Sequence, residues 1–206
     1  MTCSVLLLTD GFFHPPLFGR LSLRSILGQL PGFSFQHRRT LEALPRLDLG
    51  KFSTLVIYLH HQRISSAALD ALDRFVSAGG GLLGIHSATA CFKQTRRYSE
   101  ILGGRFTGHG PVERIRVQPA LSGDPLFSGI GGFTVRDELY LHEIHAGVRV
   151  HFETRKAGET LPVVWTYVYG KGRVCYACPG HTSETMQNPL YQKVLQRGLE
   201  WVSGEL

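Results

Sequence analysis

Long apolar runs are scarce in this 206-residue chain. The first of them, CSVLLLT, falls far short of the ~20 residues a membrane span needs, follows no basic region and runs directly into the polar pair Asp10-Gly11. It is expected to be a buried strand, and no membrane partner is expected. Basic runs are missing as well. The formal charge is +6, but the arginines come as scattered pairs (Arg38-Arg39, Arg96-Arg97, Arg114 with Arg116), without an aromatic-basic RNA motif or a basic recognition helix. A solvated arginine-rich surface is therefore expected, and no nucleic-acid partner. Cysteine is sparse, at four residues, and its spacing fits no disulfide framework, which suits a reducing cytoplasm. Cys175 and Cys178 form a C-x-x-C in RVCYACPGH, but an offset of three along a strand points the two side chains to opposite faces, which argues against a redox pair or half a zinc site. No linker, repeat or low-complexity tract breaks the chain, so residues 1–206 are expected to form a single domain.

What is present is a regular alternation. Residues 3–9 read as an apolar strand, 20–30 as a helix, 33–38 as a strand and TLVIYL (54–59) as a strand buried on both faces. SSAALDALDRFVSAGGG reads as a helix that opens on a serine cap and stops at glycine. GLLGI follows as the fourth strand, with SATACF opening the next helix. Such alternation predicts an α/β fold, a mostly parallel sheet with helices on both faces. After residue 103 the strands ERIRVQ, VRVHFET, PVVWTYVY and GRVCYAC, joined by turns such as YGKGR, predict antiparallel additions in the C-terminal half. Their edge could pair across a homodimer. A helix from about Pro189 to Val202 closes the chain.

Ligands of open parallel sheets bind beyond the carboxyl ends of the strands, and polar residues collect at those predicted ends: Asp10 and His14 in TDGFFH, His60 and His61, then His86. His109 (FTGHG), Glu138 with His142 (RDELYLHE) and His181 (CPGHTSE) follow. His86, His109 and His181 each adjoin glycine or another small residue, where backbone can approach a ligand closely. GGGLLGIHSATACF resembles a strand-to-helix nucleophile elbow, yet it carries His86 where serine or cysteine would stand. Ser87 is one step around the turn and Cys91 reads as a buried small hydrophobe, so acyl-enzyme chemistry is disfavoured. Two readings stay open: imidazoles and a carboxylate holding a divalent metal such as Zn²⁺, or the same groups serving as metal-free general acid and base. No nucleotide cofactor is indicated.

The motifs GGGLLGIHSATACF, ILGGRFTGHGP, RDELYL, PVVWTYVYGKGRVCYACPGHT and RGLEWV, with the early DGFFHPP, resemble in order and spacing the ThuA-like (trehalose-utilisation) family. The resemblance implies a class I glutamine amidotransferase-like, flavodoxin-like fold. It also implies loss of the amidotransferase reaction, because His86 replaces the catalytic cysteine. It further implies carbohydrate metabolism on a sugar or keto-sugar, by isomerisation or glycoside cleavage, and maps the family's recurrent polar positions onto His14, His86, His109, Asp137, Glu138 and His181. On this basis His86, Glu138 and His181 are expected to be catalytic. Asp10, Asp137 and Tyr140 are expected to bind substrate, and His14, His86, His109 and His181 form the pool of metal ligands. The alternative is a non-catalytic carbohydrate-binding or regulatory protein on the same scaffold. His142 and His145 extend the family's DELY motif; His145 and His151 read as peripheral, and Trp165 as a strand aromatic.

Overall fold

The computed structural model describes residues 2–10 and 16–206, with side chains for all of these except 16–20. His14 and most of DGFFHPP lie outside the described residues. The elements are β1 (Cys3–Asp10), α1 (Pro16–Leu27), β2 (Phe33–Arg38), β3 (Thr54–Leu59), α2 (Ser66–Ser77), β4 (Gly81–Ile85), α3 (Arg96–Leu102), β5 (Gly104–Pro119), β6 (Phe133–Ile144), β7 (Arg149–Lys156), β8 (Glu159–Tyr169), β9 (Gly172–Ala177), α4 (Ser183–Gln187) and α5 (Pro189–Val202). The strands form one mixed sheet in the order β2-β1-β3-β4-β9-β8-β7-β5-β6. From β2 to β9 neighbours run parallel, and from β9 onward each pair is antiparallel.

Local chemistry explains the parallel half. Every residue of β3 is buried, as a strand covered on both faces requires. The Ser65 side chain accepts from the Ala68 N–H to start α2, and Ala68, Ala71, Leu72 and Val76 make its buried face. At α5 the Asn188 side chain accepts from Leu190 and Tyr191, and Pro189 needs no amide partner in the first turn. Gly198 lets α5 lie directly on the sheet, because a Cβ there would meet Cys175 Sγ at 3.0 Å.

Three elements depart from the sequence expectation. Helix α1 begins four residues earlier than predicted, at Pro16. SATACF opens no helix: a single 3-10 turn, His86–Ala88, is followed by turns until α3 begins at Arg96. Left-handed backbone at both His86 (φ 43°) and Phe92 (φ 49°) breaks any continuous helix there. Strand β9, expected among the antiparallel additions, is the fifth parallel strand, paired with β4 from Leu82↔Val174 to Ile85↔Ala177. Its last four residues, 174–177, are buried, and it sits where parallel and antiparallel halves meet.

The largest addition is the long ribbon of β5 and β6. Residues 104–112 and all of β6 extend it beyond the predicted ERIRVQ strand, and bulges fall between Phe106 and Gly108 and between His109 and Val112. The outer edge of β6 is partly covered. Thr182 Oγ1 donates to the Arg136 carbonyl at 2.7 Å and Asn188 Nδ2 to the Thr134 carbonyl at 3.2 Å, so this part of the edge has little left to offer a second chain. Among the described residues no helix is long and apolar enough to cross a membrane.

Candidate functional site

His86 follows β4 directly and is fully buried in left-handed backbone, a conformation that costs an ordinary residue about 1–2 kcal/mol. Its Nδ1 lies 2.9 Å from the Cys178 carbonyl oxygen. A carbonyl only accepts, so Nδ1 carries the hydrogen and the ring's lone pair is on Nε2. The residues after β9 close over the ring because position 180 is glycine. Gly180 has φ 145°, and a Cβ there would stand 3.0 Å from His86 Cβ. Tyr58 donates to the Gly180 carbonyl at 2.8 Å, and Tyr191 donates to that of Pro179.

The opposite wall comes from β6. The two-residue period of a strand puts Glu138, Tyr140 and His142 on one face, and across the ribbon they stand against Val112, His109 and Phe106. The Tyr140 ring packs 4.2 Å from the His86 ring and 4.7 Å from that of Phe106. Glu138 Oε2 is 3.7 Å from His86 Nε2 and 3.3 Å from His181 Nδ1. One ligand atom from each of His86, Glu138 and His181 falls within 4.8 Å of the other two.

Burial pulls His86 down to about 3, opposed by its bond to the Cys178 carbonyl and reinforced by the nearby His181, His109 and His142. It is neutral at any working pH, so its closeness to Glu138 is not an ion pair. An imidazole lone pair faces a carboxylate, and two such acceptors are held together favourably by a cation or a shared proton between them. Nucleophilic alternatives fare poorly. Ser87 is buried, and burial pushes the Cys91 thiol up to about 12, where it donates to the Leu59 carbonyl at 3.0 Å.

Several expected site residues have other tasks. Asp137 is fully buried. Its carboxylate accepts from the backbone N–H groups of Gly180, His181, Thr182 and Glu138 at 2.9–3.2 Å. It clamps the 180–182 loop that carries His181, and has little capacity left for substrate. Tyr140 is 4% exposed and packs on His86, so it is no open sugar platform. Asp10 pairs with Arg39 at 3.2 Å and with His61 at 3.6 Å. His109 approaches Glu138 Oε1 at 3.7 Å, but its Nδ1–H is donated to the Gly110 carbonyl at 2.8 Å. It therefore borders the three-residue group without joining it. Trp165 is core, its Nε1–H donated to the Leu102 carbonyl at 3.0 Å.

Sequence reasoning missed Tyr176 and Thr89, whose hydroxyls lie 2.8 and 3.4 Å from the His86 carbonyl oxygen, and also Gly180 and the Cys178 carbonyl, which lie against the His86 side chain. Only Gly180, adjacent to His181 in CPGHTSE, carried a signal. The clefts of about 760 and 750 Å³ lie elsewhere, one beside Asp124 and Phe127, the other beside Leu44 and Phe75.

The family model described as ThuA, trehalose utilisation, matches residues 5–202. Solved structures share the fold. A putative ThuA-like protein from Parabacteroides merdae ATCC 43184 is 19% identical with a TM-score of 0.84, over 100% of this chain and 91% of that one. Another from Bacteroides uniformis ATCC 8492 is 16% identical with a TM-score of 0.79, over 98% and 91%. A cytoplasmic protein from Salmonella typhimurium LT2 is 15% identical with a TM-score of 0.74, over 98% and 99%. No curated protein matches the sequence.

Proposed function

The chain belongs to the ThuA, or trehalose-utilisation, family, and from that premise we propose that it is an enzyme converting a sugar or keto-sugar at the His86–Glu138–His181 centre. The carrying observation is the convergence of a neutral imidazole acceptor, a carboxylate and a second imidazole within 4.8 Å. That donor set fits a divalent cation such as Zn²⁺, held by His86 Nε2, Glu138 and His181 Nδ1. Bound there, the cation would polarise a sugar carbonyl or hydroxyl oxygen.

The residues divide the remaining work. His86, held neutral, accepts and does not carry protons. Asp137 fixes the backbone of His181. His109, its side chain 44% exposed at the border of the group, is placed to exchange protons with substrate. Isomerisation beside a keto group, or cleavage of a keto-glycoside, uses such proton transfer next to a polarised oxygen. Access favours the second reading, a carbohydrate binder without turnover: His86 is fully buried and the Glu138 side chain is only 16% exposed.

Two finer assignments belong to the same proposal. The parallel order β2-β1-β3-β4-β9, with α1 against α5 and α2 against α3, supports a flavodoxin-like core with helices on both faces. Four free, buried cysteines support a reducing, cytoplasmic setting.

Metal analysis of purified protein and of His86→Ala and His181→Ala tests the centre, with NMR of 3-keto and ordinary disaccharides incubated with each. The expected result is about one Zn²⁺ per wild-type chain, lost in both variants together with turnover. A wild type that stays metal-free after reconstitution overturns the metal. Binding without conversion overturns the enzyme in favour of the binder.

A further inference from the structure

His86 sits in left-handed backbone, and what holds its carbonyl is a chain of side-chain groups outside the ligand set. The Tyr176 hydroxyl lies 2.8 Å from the His86 carbonyl oxygen. Thr89 Oγ1 lies 2.8 Å from the Tyr176 hydroxyl and 3.0 Å from His142 Nε2. Thr89 and Tyr176 are 5% and 0% exposed. Tyr176 is itself fixed, its ring 4.3 Å from that of Trp165 on β8.

Counting protons gives this chain a direction. The His86 carbonyl can only accept, so the single Tyr176 hydroxyl proton goes to it. The Thr89 proton then goes to the Tyr176 hydroxyl at 2.8 Å, with the His86 carbonyl a longer second acceptor at 3.4 Å. Thr89 has only lone pairs left for His142, so His142 Nε2 must carry a hydrogen. The His142 lone pair is thereby placed on Nδ1, a buried atom without a hydrogen-bond partner among the described residues. Burial alone pulls His142 down to about 3, which agrees with a neutral ring. His86 and His142 thus hold opposite tautomers, hydrogen on Nδ1 in the first and on Nε2 in the second.

We propose that His142, Thr89 and Tyr176 form a one-directional hydrogen-bond relay, and that His142 is through it a positioning residue for His86. The relay pins the His86 carbonyl while Cys178 pins its Nδ1, so two independent bonds aim Nε2 at Glu138 and His181. The inference rests on the site reading above, which it deepens. It also gives a role to the extra histidine that follows the DELY motif, on the face of β6 that carries Glu138 and Tyr140.

Long-range ¹H–¹⁵N correlation spectra of the full chain at neutral pH test the direction, with no need for metal or turnover. His142 is expected to be protonated on Nε2 and His86 on Nδ1. A His142 protonated on Nδ1 overturns the relay. Thr89→Val keeps the shape and removes the hydroxyl; it is expected to abolish the His142 tautomer preference and weaken Zn²⁺ binding, measured by calorimetry, about tenfold, within the range for groups behind a ligand. Thr89→Ser is expected to restore both. An unchanged tautomer and affinity in Thr89→Val overturns the proposal. Should that variant fail to fold, Tyr176→Phe is read by the same spectra and titration. A wild type that binds no Zn²⁺ sinks the metal reading alone, and the spectra still decide the relay.

Discussion

Two buried histidines, His86 and His151, are alike in burial and opposite in commitment. His151 is 2% exposed, sits at a register shift between Val150 and Phe152 and has its titration lowered mainly by burial. Its Nδ1 bonds to the Asp124 carboxylate and its Nε2 to Thr166 Oγ1 at 2.7 Å. Asp124 also accepts from the Leu126 N–H at 3.1 Å, and Phe127 packs its ring 4.9 Å from the imidazole. Both nitrogens are spent on protein, and the result is a latch fastening the loop between β5 and β6 onto β7 and β8. His86 spends Nδ1 on a backbone carbonyl and turns Nε2 toward a carboxylate and a second imidazole. Burial and a depressed titration therefore do not separate the two histidines; what their second nitrogens face does. Cleft volume marks it no better, since His151 lines hollows of about 760 and 550 Å³.

The sharpest way to break this contrast is to remove one carboxylate from each centre. Glu138→Gln keeps size and removes charge; sugar turnover is expected to fall about 10²- to 10⁴-fold, with the thermal midpoint nearly unchanged. Asp124→Ala should do the reverse. It leaves a buried imidazole N–H without its charged acceptor, a loss of about 2–3 kcal/mol. In a chain of this size that lowers the thermal midpoint by several degrees, at roughly 2–4 °C per kcal/mol. Scanning calorimetry beside a turnover assay reads both variants. A stable but inactive Asp124→Ala would erase the distinction and make the latch part of the site.

The same contrast shows what could be read from the residues alone. Strands β1, β3 and β4 and helices α2 and α5 were legible because apolar periodicity, a serine cap and a stop glycine act locally. The ribbon was not: Gly108, Gly110 and Pro111 disguise a 16-residue strand as loop, and the bulges that let it bend are set by its partner. His86, Glu138 and His181 stood out through their neighbours and positions. What Asp137 does could not be read, because its partner loop is 44 residues away. His151 was expected to be peripheral. Asp124 and Thr166, at 27 and 15 residues' distance, make it a buried latch instead, and no local pattern announces pairs of that separation.

Acid offers the mildest test, and its sign follows from the direction of the shifts. His142 falls from 6.5 to about 3, and His151 is also lowered from 6.5, each mainly by burial. His142 is neutral when folded and His151 is shifted in the same direction, whereas the unfolded chain takes up a proton at each as pH drops below about 6.5. Their contribution is complete above that value and is lost progressively toward the lower folded values. Between pH 7 and 6 the His142 shift should cost about 0.7 kcal/mol of stability and the His151 shift should act in the same direction, read as a lower urea midpoint with an unchanged slope. His142→Gln and Asp124→Ala then separate the two regions. The first removes one titrating group and should make the pH dependence shallower. The second deprives His151 of the carboxylate that opposes its depression, and should move acid sensitivity in the latch while leaving the tautomer of His86 untouched. Stability that rises on acidification would mean that these imidazoles fold charged, and the contrast between a nitrogen bonded to Thr166 and one turned toward Glu138 and His181 would have to be redrawn as one between two ion pairs.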